Sequence, residues 1–133
     1  MKVVFDTNIV LSASFWRGKP SDCLMAWARG KCEAVVSPQI LSEYFETVTE
    51  AEIRYPKKLR AAWPETLTDA AELVFPLERV RGVLADPDDE MFLECAKAAD
   101  ASHIVSGDKK HLLPLKEWSG IKVISAADFL KQI

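Results

Sequence analysis

The sequence is poor in the residues that most directly announce chemistry. It has two histidines, His103 and His111, and three cysteines, Cys23, Cys32 and Cys95. These lie far apart without metal-ligand spacing, so they make no zinc motif. An odd cysteine count argues against a disulfide framework, and each thiol reads as a small buried apolar residue. No apolar run approaches the roughly 20 residues needed to span a bilayer, so no membrane-spanning helix is expected. The first residues lack a basic region followed by a long apolar stretch. No secretory signal is therefore expected, and the expected compartment is the cytoplasm. Positive charge is not in excess either: 17 Lys and Arg against 20 Asp and Glu leave a net charge of −3. A nucleic-acid binder usually carries a basic footprint. Net charge is an average, however. Clustered carboxylates lower it, and a bound divalent cation offsets them locally. Local basic groups do occur, at Arg17 with Lys19, at Arg54 with Lys57, Lys58 and Arg60, and at Lys109 with Lys110. As isolated features these read as solvated faces.

What is present describes one globular domain. The chain has 133 residues, of which 49% are hydrophobic, enough for a real core. It contains no internal repeat, low-complexity tract or linker. Val3-Val4-Phe5 is a short apolar run without alternation, as suits a strand buried on both faces, and Asp6 follows at once. An acid at the end of a buried strand is costly to desolvate unless something pairs with it, although Asp6-Thr7-Asn8 also reads as a cap for the next segment.

Pro20 fits the start of a helix that ends near Gly30, and Ala34-Val35-Val36 reads as a second strand. Ser37-Pro38 opens a helix with an apolar stripe of Ile40, Leu41, Tyr44, Phe45 and Val48. Glu43 lies at the margin of that stripe near the helix start; Glu46 and Glu50 lie further round. Pro64 starts another helix with Leu67, Ala70, Ala71 and Val74 at helical spacing. A third strand falls at Phe75-Pro76-Leu77 or at Val80 to Leu84, with Pro76 confining its segment to a sheet edge.

Asp86-Pro87-Asp88-Asp89-Glu90 then opens a helix running through Met91, Phe92, Leu93, Cys95, Ala96 and Ala99. Capping by Asp86 and the helix dipole can account for the acidic run. Against that, Asp89 shares the face of Phe92, Leu93 and Ala96, and Asp88 lies on the other margin of that face. Ile104-Val105-Ser106-Gly107-Asp108 repeats the opening pattern of strand then acid, with Gly107 permitting a sharp turn. Val123-Ile124 is a last strand, and Ser125 to Asp128 caps the final helix.

Strands alternating with helices give an α/β fold with a mainly parallel sheet. Right-handed crossovers then put Asp6, Glu43, Asp89 and Asp108 near one rim, where open α/β sheets bind ligands. Four carboxylates cannot share a small site unneutralised at pH 7. Their all-oxygen chemistry favours one or two Mg²⁺ or Mn²⁺ ions over Zn²⁺. Such ions activate water and stabilise a phosphoryl transition state, so the expected reaction is phosphodiester hydrolysis. Asn8, Ser12, Ser106 and Asp88 are candidates to orient ligands, water or substrate around the acids, although a local turn or backbone hydrogen bond is the more ordinary account of Asn8, Ser12 and Ser106.

The ordered motifs Asp6-Thr7-Asn8-Ile9-Val10-Leu11-Ser12-Ala13, Val36-Ser37-Pro38 with Glu43, Asp86 to Ala96, and Ile104 to Lys109 resemble those of the PIN-domain family. Within it the sequence is most similar to the VapC-like toxins of bacterial and archaeal toxin–antitoxin systems. The resemblance covers essentially the whole chain. It implies a three-layer α/β/α sandwich with strand order 3-2-1-4-5, over a single domain 1–133. It also implies a Mg²⁺- or Mn²⁺-dependent endoribonuclease acting on an RNA substrate. Asp6, Glu43 and Asp89 match the main metal ligands and Asp108 the assisting acid, while Ser106 sits where the family has Thr or Ser. A cognate antitoxin and a homodimer are further implications, and the RNA target does not carry over.

Other readings meet obstacles in the residues. A response-regulator receiver needs an acidic pair before its first helix and a phospho-acceptor Asp after a middle strand, but Asp6 stands alone and Val36 precedes Ser37. A haloacid-dehalogenase-type phosphatase needs Asp where Asn8 stands. A catalytically silent PIN module acting as a binding partner, and a structure-specific DNA nuclease, remain the alternatives.

Overall fold

The computed structural model describes residues Met1–Ile133. Its centre is a six-stranded sheet of order β3-β2-β1-β4-β6-β5. The strands are β1 (Lys2–Phe5), β2 (Glu33–Val36), β3 (Glu72–Leu73), β4 (His103–Val105), β5 (Glu117–Trp118) and β6 (Ile121–Ile124). All neighbours are parallel except β5 with β6, a short hairpin at one edge. The helices are α1 (Thr7–Phe15), α2 (Lys19–Ala28), α3 (Pro38–Arg54), α4 (Trp63–Ala70), α5 (Glu90–Ala99) and α6 (Ala126–Leu130). Helices α1 to α4 pack on one another and α6 packs on α2, whereas α5 lies directly on β1, β2 and β4. The expected α/β/α sandwich and its 3-2-1-4-5 order are therefore present, with β6 in the place of the fifth strand and β5 added outside it.

The unalternating apolar runs behave as runs buried on both faces should. Val3, Val4, Phe5, Ala34, Val35, Val36, Ile104 and Val105 are all buried in the main core. The strand β1 is central, with β2 on one side and β4 on the other. Sheet growth reverses direction at β1, so Asp6, the residue after it, stands at the topological switch point.

Local capping follows the sequence closely. The Ser37 hydroxyl accepts the amide of Ile40, and Ser125 accepts that of Asp128. Asp86 accepts the amide of Asp88, but the turn it caps is a 3-10 turn over Pro87–Asp89 that leads into α5. Gly30 takes a positive φ of 79° after α2, and the Lys31 amide reaches back to the Ala26 carbonyl. Gly107 does not serve as expected, because its φ is not positive. The turn there is closed by the Ser106 hydroxyl, which accepts the amide of Asp108 at 2.9 Å.

One helix carries no sequence assignment, and two assignments need correction. Helix α1 begins directly after Asp6, where the nearly continuous apolar run Ile9-Val10-Leu11 conceals helical spacing. Helix α4 stops at Ala70, so Trp63, Pro64 and Leu67 carry its burial, and Ala70 is exposed. The third strand is neither of the segments expected for it; it is Glu72–Leu73 against Val35 and Val36. The reason lies in where the backbone amides go. Pro76 has none to offer a ladder. Further on, buried Glu90 accepts the amides of Val83 at 2.8 Å and Leu84 at 3.3 Å, and buried Glu94 accepts that of Val80 at 2.9 Å. One turn of α5 thus takes up the amides that a strand over 80–84 would have spent on the sheet.

Removing the Glu90 carboxylate leaves two amides without their acceptor, and charge-assisted bonds to buried groups are among the stronger ones. Glu90→Ala is expected to cost about 3 kcal/mol. The loss should appear in a thermal melt, with faster hydrogen exchange at the Val83 and Leu84 amides. Unchanged exchange at both amides would show that Glu90 does not hold the segment.

Candidate active site

Asp6 is 4% exposed, and both of its oxygens are engaged. Oδ1 accepts the Thr7 amide at 2.7 Å, capping α1, and Oδ2 accepts the Ser106 hydroxyl at 2.7 Å. The Asp6 amide donates to the Val105 carbonyl at 2.9 Å, locking the residue to the end of β4. Cap and site residue are thus one and the same group. Burial is the main influence on its acidity and pushes its pKa up to about 6. The bonds from Ser106 and Thr7 oppose that rise, and the charges of Asp89 and Asp108 add to it.

The other acids reach the same place by different routes. Glu43, half-buried on α3, accepts the Thr7 hydroxyl at 2.5 Å, so the residue beside Asp6 orients it. Its neighbour Tyr44, fully buried, donates its hydroxyl to the Phe5 carbonyl and ties α3 to the last residue of β1. Asp108 is positioned through the Ser106 hydroxyl, and its Oδ1 accepts the amides of Lys110 and His111 at 3.0 and 3.1 Å. Asp89 stands at the junction of the 3-10 turn and α5. Desolvation, then the charges of Asp86 and Asp108, raise its pKa to about 6; His111 acts the other way and Glu43 adds to the rise.

Asp89, Asp108 and His111 can each turn one ligand atom to within 4.8 Å of the others. The His111 Nδ1 lies 3.8 Å from Asp108 Oδ2. Two carboxylates and an imidazole at that spacing fit a divalent cation. The donor set is mostly hard oxygen, and the positive charge would relieve the repulsion that adds to burial in raising Asp6 and Asp89. Asp6 and Glu43 border this group, coupled to it by charge and by the Ser106 and Thr7 hydroxyls.

Spacing alone sets His111 aside, since it makes no motif with His103. Its signal is its position three residues after Asp108, which is meaningful only once the turn closed by Ser106 is known. Thr7 and Tyr44 likewise look like cap and core until their hydroxyls are placed. Asn8 is exposed on α1 and Ser12 is half-buried there, and neither side chain makes a hydrogen bond. Asp88 is exposed and lines a separate groove with Gln39, Arg79 and Arg81.

The raised carboxylates make stability depend on pH. Between the unfolded value near 4 and the folded value near 6, the folded state binds more protons than the unfolded chain. Without metal, stability therefore falls as pH rises through that window, by about 3 kcal/mol from Asp6. Asp6→Asn is expected to stabilise the metal-free protein at pH 7 by about 1–2 kcal/mol, after about 1 kcal/mol is lost in rearranging the bond with Ser106. The advantage should vanish near pH 3, below both values, where Asp6 is protonated in both states. Thermal melts across that range in chelator check this; a mutant less stable than wild type at pH 7 would make Asp6 a purely structural acid.

No curated protein matches the sequence. Among solved structures, the fold is similar to that of a chain in the crystal structure of VapBC2 from Rickettsia felis bound to a DNA fragment from their promoter. The two chains are 14% identical with a TM-score of 0.58, over 94% of this chain and 98% of that one. The description "PIN domain" matches residues 2–110, a span that includes Asp6, Glu43, Asp89 and Asp108 and ends just short of His111. A match over most of the sequence, in a fold that gathers those acids at its switch point, means that the chain belongs to the PIN domain family.

Proposed function

We propose that this protein is a metal-dependent endoribonuclease and the toxin of a toxin–antitoxin pair of the VapC kind. The observation that carries the reading is the convergence of Asp89, Asp108 and His111 beside buried Asp6 at the sheet's switch point. Membership of the PIN domain family supports nuclease chemistry, and the likeness to VapBC2 supports a toxin with an antitoxin partner. A homodimer and cytoplasmic activity belong to the same reading, as do Mg²⁺ or Mn²⁺ as the cation, one or two ions of it, and RNA as the substrate.

The chain's own groups have separable tasks in this reaction. Asp89 and Asp108, with His111 at hand, would hold the cation, and Asp6 and Glu43 would complete the acidic wall. Ser106 keeps Asp6 and Asp108 in register by donating to one and accepting from the other. Thr7 does the same for Asp6 and Glu43, through its amide and its hydroxyl. When bound, the cation supplies Lewis acidity toward the phosphate and acidifies a water for attack. The carboxylates alone would repel a phosphodiester, so substrate entry and cation binding are linked through charge.

Within the acidic run the cap and the site can be separated. Asp86→Ala should lower stability by about 0.5–2 kcal/mol while leaving most cleavage in the folded fraction. Asp89→Asn should melt near wild type yet cleave about 100-fold or more slowly, with weakened Mn²⁺ binding. The measurement is cleavage of labelled single-stranded RNA and DNA with Mn²⁺, beside a melt of each variant. Cleavage of DNA but not RNA would make the protein a DNA nuclease, and cleavage of neither would make it a silent binding module.

A further inference from the structure

The far ends of α1 and α3 carry a surface that the acids do not use. The two helices run side by side, joined at one end by Thr7 and Glu43 and at the other by Trp16 and Tyr55. Trp16 is 54% exposed and Tyr55 45%, with ring centroids 6.4 Å apart at 70°. Together with Leu11, Thr47, Glu50, Ala51 and Arg54 they line a cleft of about 310 Å³. Large aromatics left this exposed beside one another invite a flat partner.

Charge says which partner. Residues 54–60 read Arg-Tyr-Pro-Lys-Lys-Leu-Arg, four cations and no acid, in a protein whose net charge is −3. The segment is fixed against α1 by the Arg60 and Ala61 amides, both donating to the Ser14 carbonyl. Within it the Lys58 amide bonds back to the Tyr55 carbonyl, and Lys57 holds a positive φ of 64°. None of Arg54, Lys57, Lys58 or Arg60 is in an ion pair; nor is Arg17, next to Trp16. One acid, Glu50, lines the cleft. Arg54 in the cleft and unpaired cations in the segment that follows Tyr55, beside two exposed rings, suit a polyanion that also has π-faces, which describes single-stranded nucleic acid.

We propose that Trp16, Tyr55 and the cations Arg54, Lys57, Lys58 and Arg60 form a platform for a single-stranded RNA substrate. Bases stack on the rings, phosphates meet the cations, and the strand follows the α1–α3 groove to the acids. From Glu43 to Tyr55 is about 18 Å along α3, and from Thr7 to Trp16 about 13 Å along α1. The same short strand can therefore touch both places. This assignment rests on the endoribonuclease reading and adds a substrate-holding site remote from the cleaved bond. It also reconciles an acidic protein with an anionic substrate, because four cations without an acid among them follow one another in residues 54–60.

The test is binding of a fluorescein-labelled, mixed-sequence single-stranded oligoribonucleotide to the full chain in chelator, by anisotropy over a range of salt. Trp16→Ala is expected to weaken binding about tenfold with the salt slope unchanged. The triple variant Lys57→Ala, Lys58→Ala, Arg60→Ala should flatten the slope by about 2, at about 0.7 for each phosphate left without its cation. Both should melt close to wild type, since the side chains are exposed. If wild type binds RNA and cleaves it with Mn²⁺ while both variants bind equally well, the platform is overturned and the nuclease reading survives. If wild type neither binds nor cleaves RNA, both fall. Variant-sensitive binding of poly-glutamate in place of RNA would also overturn the platform, by making the surface a dock for an acidic protein segment.

Discussion

A carboxylate that is almost wholly buried has to be held by donors on every side, and Asp6 sets that demand at the centre of this fold. Its two oxygens are met by the Thr7 amide at the start of α1 and by the Ser106 hydroxyl beyond β4. Meeting them fixes the first helix to the first strand and the first strand to the fourth. Even so, burial outweighs the two bonds and leaves the group reluctant to ionise. A residue kept in that state is an expensive way to cap a helix and a sensible way to prepare a cation site. The adjacent bond from Tyr44 to the Phe5 carbonyl extends the same lock to α3, which carries Glu43.

The second organising helix is α5, and it works in two directions. At its start Asp89 faces Asp108 and His111. One residue on, Glu90 and then Glu94 turn away to hold the amides of 80–84. The acidic character of this stretch is therefore divided among a cap, a carboxylate that faces Asp108 and His111, and two structural acceptors. Composition cannot distinguish those roles, because each is set by the direction of a single side chain.

This division also marks how far the sequence can be read. Runs buried on both faces, such as Val3 to Phe5 and Ala34 to Val36, declare themselves, because nothing but a central strand needs them. Caps at Ser37, Asp86 and Ser125 are equally plain, since the chemistry of an orphan amide is local. The four acids could be placed on one rim because strand ends and helix starts follow from topology. What sequence hides is whatever depends on a partner distant in the chain. Val80 to Leu84 has strand-like residues, yet its amides go to α5. His111 joins the acids only through a turn closed by Ser106, and β3 shrinks to the two residues that β2 can pair.

The bond between Ser106 and Asp6 spans 100 residues of sequence. Strand β1 likewise gains its second neighbour only when β4 is available, more than three-quarters of the way along the chain. Contacts this distant form late, because a long loop must close before they return anything. During synthesis the amino-terminal part, with Asp6, Glu43 and the α1–α3 groove, emerges first and waits for Asp89, then Ser106 and Asp108. A partly made chain therefore lacks the assembled acidic cluster until Asp108 and His111 have been added, so the architecture withholds the site's chemistry until the fold around it is nearly complete.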